Sequence, residues 1–89
     1  MERRTQILHE ADALITGPRA DAYGPPQKNF GNIATLWTPI FGVGVTPVQV
    51  ALALSQLKVA RLIQSPDHED SWIDAAGYIA LGGELATDG

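Results

Sequence analysis

The sequence predicts an all-α fold, a four-helix bundle-like single domain spanning residues 1–89. Two observations support the helical class. Apolar residues recur at helical spacing in four stretches of the chain. Proline, glycine and helix-capping residues separate these stretches from one another. The length of 89 residues predicts a single domain, because it is at the lower end of the sizes at which one domain is stable on its own.

The first helix is predicted over residues 3–15. Its apolar positions at helical spacing are Ile7, Leu8, Ala11, Leu14 and Ile15. Thr16-Gly17-Pro18 ends this helix, because glycine suits the position after a helix and proline cannot continue one. Residues 19–24 are then predicted to form a loop.

The second helix is predicted from Pro26 to Phe41. Its apolar positions are Phe30, Ile33, Ala34, Trp37, Ile40 and Phe41. Pro39 lies inside this pattern, so the last turn is expected to kink or end there.

The third helix is predicted from Pro47 to about Gln64, and Thr46 and Gln49 have the spacing of a capping box at its start. Apolar residues lie on several of its sides, so we expect it to be buried nearly all round. A chain this short cannot cover that surface alone, which predicts a homo-oligomer. A turn at residues 65–67 leads to the fourth helix, residues 68–86, whose last turns are weakened by Gly82 and Gly83.

Composition and charge exclude several classes of protein. The formal net charge is −4 and no Lys/Arg run is present, which argues against a protein that binds nucleic-acid polymers. The absence of cysteine excludes disulfides and thiolate metal sites. No stretch is long and apolar enough for a membrane span, and the first residues do not resemble a signal peptide. We therefore expect a cytoplasmic protein, in the host cytoplasm if a phage encodes it.

Charged residues recur on one face of each of the last two helices. If these helices form an antiparallel hairpin about Pro66, Arg61 lies opposite Asp70 and Lys58 lies opposite Asp74. This spacing predicts two rungs of opposite charges inside the helix pair. Paired burial would lower the cost of removing these charges from water. Whether the two rungs are only structural or hold a ligand stays open, because Lys58 and Arg61 also suit phosphate contacts.

A stiff corner precedes the second helix. Pro25 and Pro26 follow Tyr23-Gly24, and each proline fixes its own φ. The corner holds Arg19 and Tyr23 close to Lys28 and Asn29, so it could present hydrogen-bond donors in a fixed array. The alternative is a plain turn in which Tyr23 packs on the core and Asn29 bonds local backbone.

Three segments of the chain resemble a known family. They are Tyr23-Gly24-Pro25 followed by Asn29-Phe30, then Leu57-Lys58-Val59-Ala60-Arg61-Leu62, then Asp70-Ser71-Trp72 followed by Asp74 and Gly77-Tyr78. Together they resemble a small all-α domain of unknown function that is common in actinobacterial phages and prophages. More distantly, the segment from Asp70 to Tyr78 is similar to the last metal-binding helix of MazG-like all-α NTP pyrophosphohydrolases. That likeness implies four carboxylates around Mg²⁺, but the third helix has Ser55, Lys58 and Arg61 where those enzymes have a glutamate pair.

The first functional hypothesis is a phage-type protein that binds or sequesters a nucleotide or another phosphate-bearing small molecule, such as a nucleotide immune signal. By this hypothesis the protein needs no cofactor, and its partners are the ligand and further copies of the chain. The expected ligand-binding residues are Arg19, Tyr23, Lys28, Asn29, Lys58, Arg61, Asp70, Trp72, Asp74 and Tyr78. The cations would contact phosphate, and Tyr23 or Trp72 would stack on a base.

Two alternatives remain. The first is a Mg²⁺-dependent nucleotide pyrophosphohydrolase, since one or two protein carboxylates can hold Mg²⁺ on a triphosphate. Its metal ligands would be Glu10, Glu69, Asp70 and Asp74. The second is a non-catalytic interaction module, with the apolar third helix as its assembly face and the charged rungs as structural contacts.

Overall fold

Five α-helices make up the computed structural model, which describes residues 1–88 except for the side chain of Arg19. The helices are α1 (Arg3–Thr16), α2 (Pro18–Tyr23), α3 (Pro26–Phe41), α4 (Pro47–Gln64) and α5 (Glu69–Thr87). No strand occurs in residues 1–88. The all-α prediction is therefore confirmed, with one helix more than the four expected.

The additional helix is α2, and the prediction of a loop over residues 19–24 was wrong. Pro18 occupies the first helical position, where its missing N–H costs nothing, and alanines at 20 and 22 favour the helix. Gly24 ends the helix with φ +79°, a conformation that glycine adopts without strain. Six residues are too few to show an apolar period, so the pattern alone could not identify this helix.

Local chemistry explains the bounds of α3 and α4. Pro26 opens α3, and left-handed Gly42 closes it by donating its N–H to the carbonyl of Thr38 at 2.9 Å. The helix continues two residues past Pro39. The predicted capping box begins α4, because Thr46 Oγ1 accepts from the N–H of Gln49 while Gln49 Oε1 accepts from the N–H of Thr46.

The α4–α5 pair is the centre of the fold. These two helices have the most extensive packing, with α1 against α5 and α3 against α4. Phe30 and Ala34 of α3 meet Val50 and Ala51 of α4 in the buried core. Gly82 lets α5 approach closely, since a Cβ there would lie 2.9 Å from the Cβ of Ala51. The hairpin therefore depends on small residues at its crossing point.

One side of α4 is not covered. Leu52, Val59 and Ile63 are 52%, 39% and 82% exposed, so the expectation that α4 is buried nearly all round was wrong for this chain on its own. The remaining helices cover α4 on the side of Val50 and Ala51. The three exposed residues form a stripe along α4, here called the α4 stripe.

Candidate functional site

A cleft of about 470 Å³ lies where α1, α2, the start of α3 and the α4–α5 pair meet. Its apolar lining residues are Leu14, Ile15, Ala20, Phe30, Ile33, Leu54 and Leu81. Its polar lining side chains are Tyr23, Asn29, Lys58, Asp74 and Tyr78. This size and this mixture, apolar walls with a few polar groups, are typical of small-molecule sites.

An ion pair is the charged part of the cleft. The Nζ of Lys58 lies 3.1 Å from Oδ2 of Asp74, which confirms the predicted inner rung. The two side chains are 16% and 32% exposed. The ammonium group of Lys58 has three N–H donors and the carboxylate of Asp74 has two oxygens, so one contact leaves hydrogen-bonding capacity on both. Among the described residues, neither side chain makes a further hydrogen bond, and both side chains line the cleft.

Three more polar side chains complete the lining. Tyr78 lies one helical turn beyond Asp74 on α5, and its ring lies 6.5 Å from that of Phe30 at 47°. Asn29 is half-buried in the first turn of α3, and Tyr23 is exposed at the edge of the cleft. None of the three side chains hydrogen-bonds to another described residue, so their polar groups are available to a ligand.

The outer rung of charges is not formed. Arg61 and Asp70 are both exposed, and within the described residues they make no ion pair with each other or with another side chain. A helix turns about 100° per residue, so Arg61 is rotated about 60° away from Lys58 around α4. Arg61 instead lies in the last turn of α4 and Asp70 in the first turn of α5. At these ends each charge complements the dipole of its own helix.

Two further predicted ligand-binding residues, Lys28 and Trp72, lie outside the cleft. Lys28 is exposed and is not part of the lining. Trp72 donates its indole N–H to the carbonyl of Pro66 at 2.8 Å, which holds it against the turn before α5. The side chain of Arg19 lies outside the described part of the structure. Of the predicted phosphate-contacting cations whose side chains the structure describes, only Lys58 lines the cleft.

The predicted metal-binding carboxylates are not gathered into one group. Glu10 is exposed on α1, and Glu69 pairs with Arg3 at 3.1 Å on the surface. In residues 1–88, no three His, Asp or Glu side chains lie close enough together to hold a metal ion. Asp74 belongs to the cleft and Asp70 does not. The set of four carboxylates predicted for the pyrophosphohydrolase alternative is therefore not brought together in the described residues.

None of the apolar lining residues of the cleft was among the expected site residues, and two of them come from α1. Leu14 and Ile15 come from the last turn of α1 and form part of the lining. A Cβ on Gly77 would lie 3.1 Å from Cγ2 of Ile15, so the absence of a side chain at Gly77 lets α1 approach α5. The sequence shows these residues as the end of an apolar helical stripe, but it does not show that α1 packs beside Asp74.

A comparison with protein families finds one that matches nearly the whole chain. The family model described as Domain of unknown function (DUF6378) matches residues 6–86. The chain is also similar to the Gene 55 protein of Mycobacterium phage L5, with 42% identity over 76 residues that cover 84% of this chain and 49% of that protein. The Gene 55 protein of Mycobacterium phage D29 is 39% identical over 72 residues, 81% of this chain and 48% of that protein.

This chain thus spans about half the length of the curated relatives it matches. No solved structure matches it. The predicted resemblance to a phage domain of unknown function is confirmed, and the likeness to MazG-like enzymes stays a prediction. Within the described residues, no helix combines the length and hydropathy that crossing a membrane requires.

Proposed function

The chain belongs to the family Domain of unknown function (DUF6378), and we propose that it binds a nucleotide in the cleft beside the Lys58–Asp74 ion pair. The observation that carries this proposal is the composition of the cleft. Apolar walls surround one partly buried ion pair, and the polar groups of Asn29 and Tyr78 have no described partner. A ligand with flat apolar faces and a polar edge fits such a lining, and a nucleobase has both.

The phosphate groups of the ligand would extend out of the cleft rather than into it. Lys58 is neutralised by Asp74, so the described side chains of the lining carry no net charge. Burying several phosphate charges against a neutral lining is unfavourable. At the edge of the cleft, water solvates phosphate. The exposed Lys28 immediately precedes Asn29, which lines the cleft.

Binding, rather than hydrolysis, is the activity we propose. Of the four carboxylates predicted to hold Mg²⁺ in the pyrophosphohydrolase alternative, only Asp74 lines the cleft. A cleft that holds a nucleotide without cleaving it suits a protein that sequesters a nucleotide signal. That role rests on analogy with other small phage proteins.

Isothermal titration calorimetry with nucleoside mono-, di- and triphosphates and cyclic nucleotides tests the proposal. We expect at least one nucleotide to bind in the micromolar range, and Lys58→Met to weaken it about tenfold or more by removing a charged donor. Arg61→Met is the matched control, since it removes a cation from the exposed face of the same helix and should leave affinity unchanged. With Mg²⁺ present we expect no release of pyrophosphate. Failure of every nucleotide to bind at high micromolar concentration would contradict the proposal.

We also infer that copies of the chain associate through the α4 stripe. Leu52, Val59 and Ile63 recur at i, i+7 and i+11, so they lie on one side of α4 and none of the other helices covers it. The exposed alanines at positions 53 and 60 flank the stripe and allow close approach of a second helix. This homo-oligomer would leave the cleft of each copy open, because none of the three stripe residues lines it.

A further inference from the structure

The ion pair in the cleft presents a hydrogen-bond donor beside an acceptor. The remaining N–H groups of Lys58 and the remaining lone pairs of Asp74 lie on groups whose atoms are 3.1 Å apart. A flat ligand can meet both at once only if its edge carries an acceptor next to donors. The apolar lining makes this matching strict, because a buried polar group left without a partner costs more than an exposed one.

Nucleobases differ in how fully they match this edge. Guanine has a carbonyl oxygen beside a ring N–H, with an exocyclic amino group next to it. Lys58 can donate to the carbonyl while the carboxylate of Asp74 accepts from both N–H groups, which gives three hydrogen bonds. Adenine, with a single amino donor on that edge, gives two. The two oxygens of the Asp74 carboxylate therefore favour guanine, which has two adjacent N–H donors.

We propose that the Lys58–Asp74 pair reads the 2-amino-6-oxo edge of a guanine-type purine. The inference rests on the proposed function, since it names the class of nucleotide that the cleft takes and the end of the nucleotide that enters. The base lies inside, against Tyr78 and the apolar walls, and the ribose and phosphates point outward. With the phosphates outside, the cleft needs no unpaired cation. This agrees with the pairing of Lys58 with Asp74.

The decisive experiment compares nucleosides, which carry no phosphate. Titration of the whole chain with guanosine, inosine and adenosine is expected to give the highest affinity for guanosine. Inosine differs from guanosine only by lacking the amino group, so we expect it to bind about tenfold more weakly, the loss of one hydrogen bond to a charged acceptor. Adenosine is expected to bind at least as weakly as inosine.

Asp74→Asn tests which residue reads the amino group. An amide has one oxygen acceptor where the carboxylate has two, so the variant is expected to bind guanosine and inosine with similar affinity. Retained inosine binding shows that the variant is folded. Asp70→Asn is the matched control, because Asp70 is exposed one turn away and does not line the cleft, and it should keep the tenfold preference.

The possible outcomes separate this inference from the proposed function. If nucleotides bind but nucleosides do not, or if inorganic pyrophosphate displaces them, the base-reading inference is overturned and nucleotide binding stands. Equal affinity for guanosine, inosine and adenosine also overturns it. If neither nucleosides nor nucleotides bind, both the inference and the proposed function fail.

Discussion

Two adjacent glycines in α5 have different surroundings and should respond oppositely to alanine. A Cβ on Gly82 would lie 2.9 Å from the Cβ of Ala51, whereas a Cβ on Gly83 would meet nothing within 4 Å. We expect Gly83→Ala to raise the free energy of unfolding by about 0.5–1 kcal/mol through helix propensity. Gly82→Ala should lower it by about 1–3 kcal/mol, because the two helices must move apart. Urea denaturation followed by circular dichroism measures both, and equal stabilisation by the two variants would show that α4 and α5 do not cross this closely.

Individual charged residues show how far the sequence could predict the site. Lys58 and Asp74 were expected to pair because they lie at matching distances from the turn on the inner faces of two helices, and they do pair. The same count of residues paired Arg61 with Asp70, but distance from the turn does not include rotation around the helix. Nearer the turn both side chains point outward, where water solvates them better than a partner would. Which of the two ion pairs forms therefore depends on how each helix is rotated about its own axis. The spacing of residues in the sequence does not give this rotation accurately.

At the scale of the helices, the capping box of α4 gives a clean test of a local signal. Thr46→Ala removes the oxygen that accepts the N–H of Gln49, so we expect a loss of about 1 kcal/mol in the free energy of unfolding. The control is Thr35→Ala, another exposed threonine, whose hydroxyl donates to the carbonyl of Gly31 inside α3. That change should be neutral or stabilising by a few tenths of a kcal/mol, since alanine is the better helix former. Thermal denaturation measures the stability of both variants. An equal loss of stability in the two would mean that the capping box makes no specific contribution.

The helix bounds were predictable where a residue has a single strong conformational preference. Pro26 and Thr46 with Pro47 are such residues, and α3 and α4 begin where these signals place them. The short α2 was missed because its six residues show no period. The cleft could not be predicted as a volume, since it depends on how α1 and α2 lie against α4 and α5. The sequence nevertheless indicated its five polar side chains, among them Lys58 and Asp74 from the predicted charged rungs and Tyr23 and Asn29 from the stiff corner before α3.

On the scale of the whole molecule, the chain is more extended than its length requires. Its radius of gyration is 13.7 Å, and its principal extents are 43 × 29 × 23 Å. A compact domain of this length is expected to have a radius of gyration of about 12 Å. An open cleft and an uncovered side of α4 are what such a shape leaves at the surface. One of these features suits a small ligand and the other a second copy of the chain.

Oligomerisation through the α4 stripe is testable with one substitution and one control. Ile63 is 82% exposed within the stripe, and Ile63→Glu would bury a carboxylate in any contact formed there, which is costly without a partner. We expect the 9.5 kDa chain to sediment as a larger assembly and Ile63→Glu to sediment as a monomer. Ile79→Glu, at an exposed position on α5, should leave the assembly intact. Because the three stripe residues do not line the cleft, the Ile63→Glu monomer should also keep the nucleotide affinity of the wild type. A wild-type chain that sediments as a monomer at every concentration, or dissociation by Ile79→Glu to the same extent, would contradict this interface.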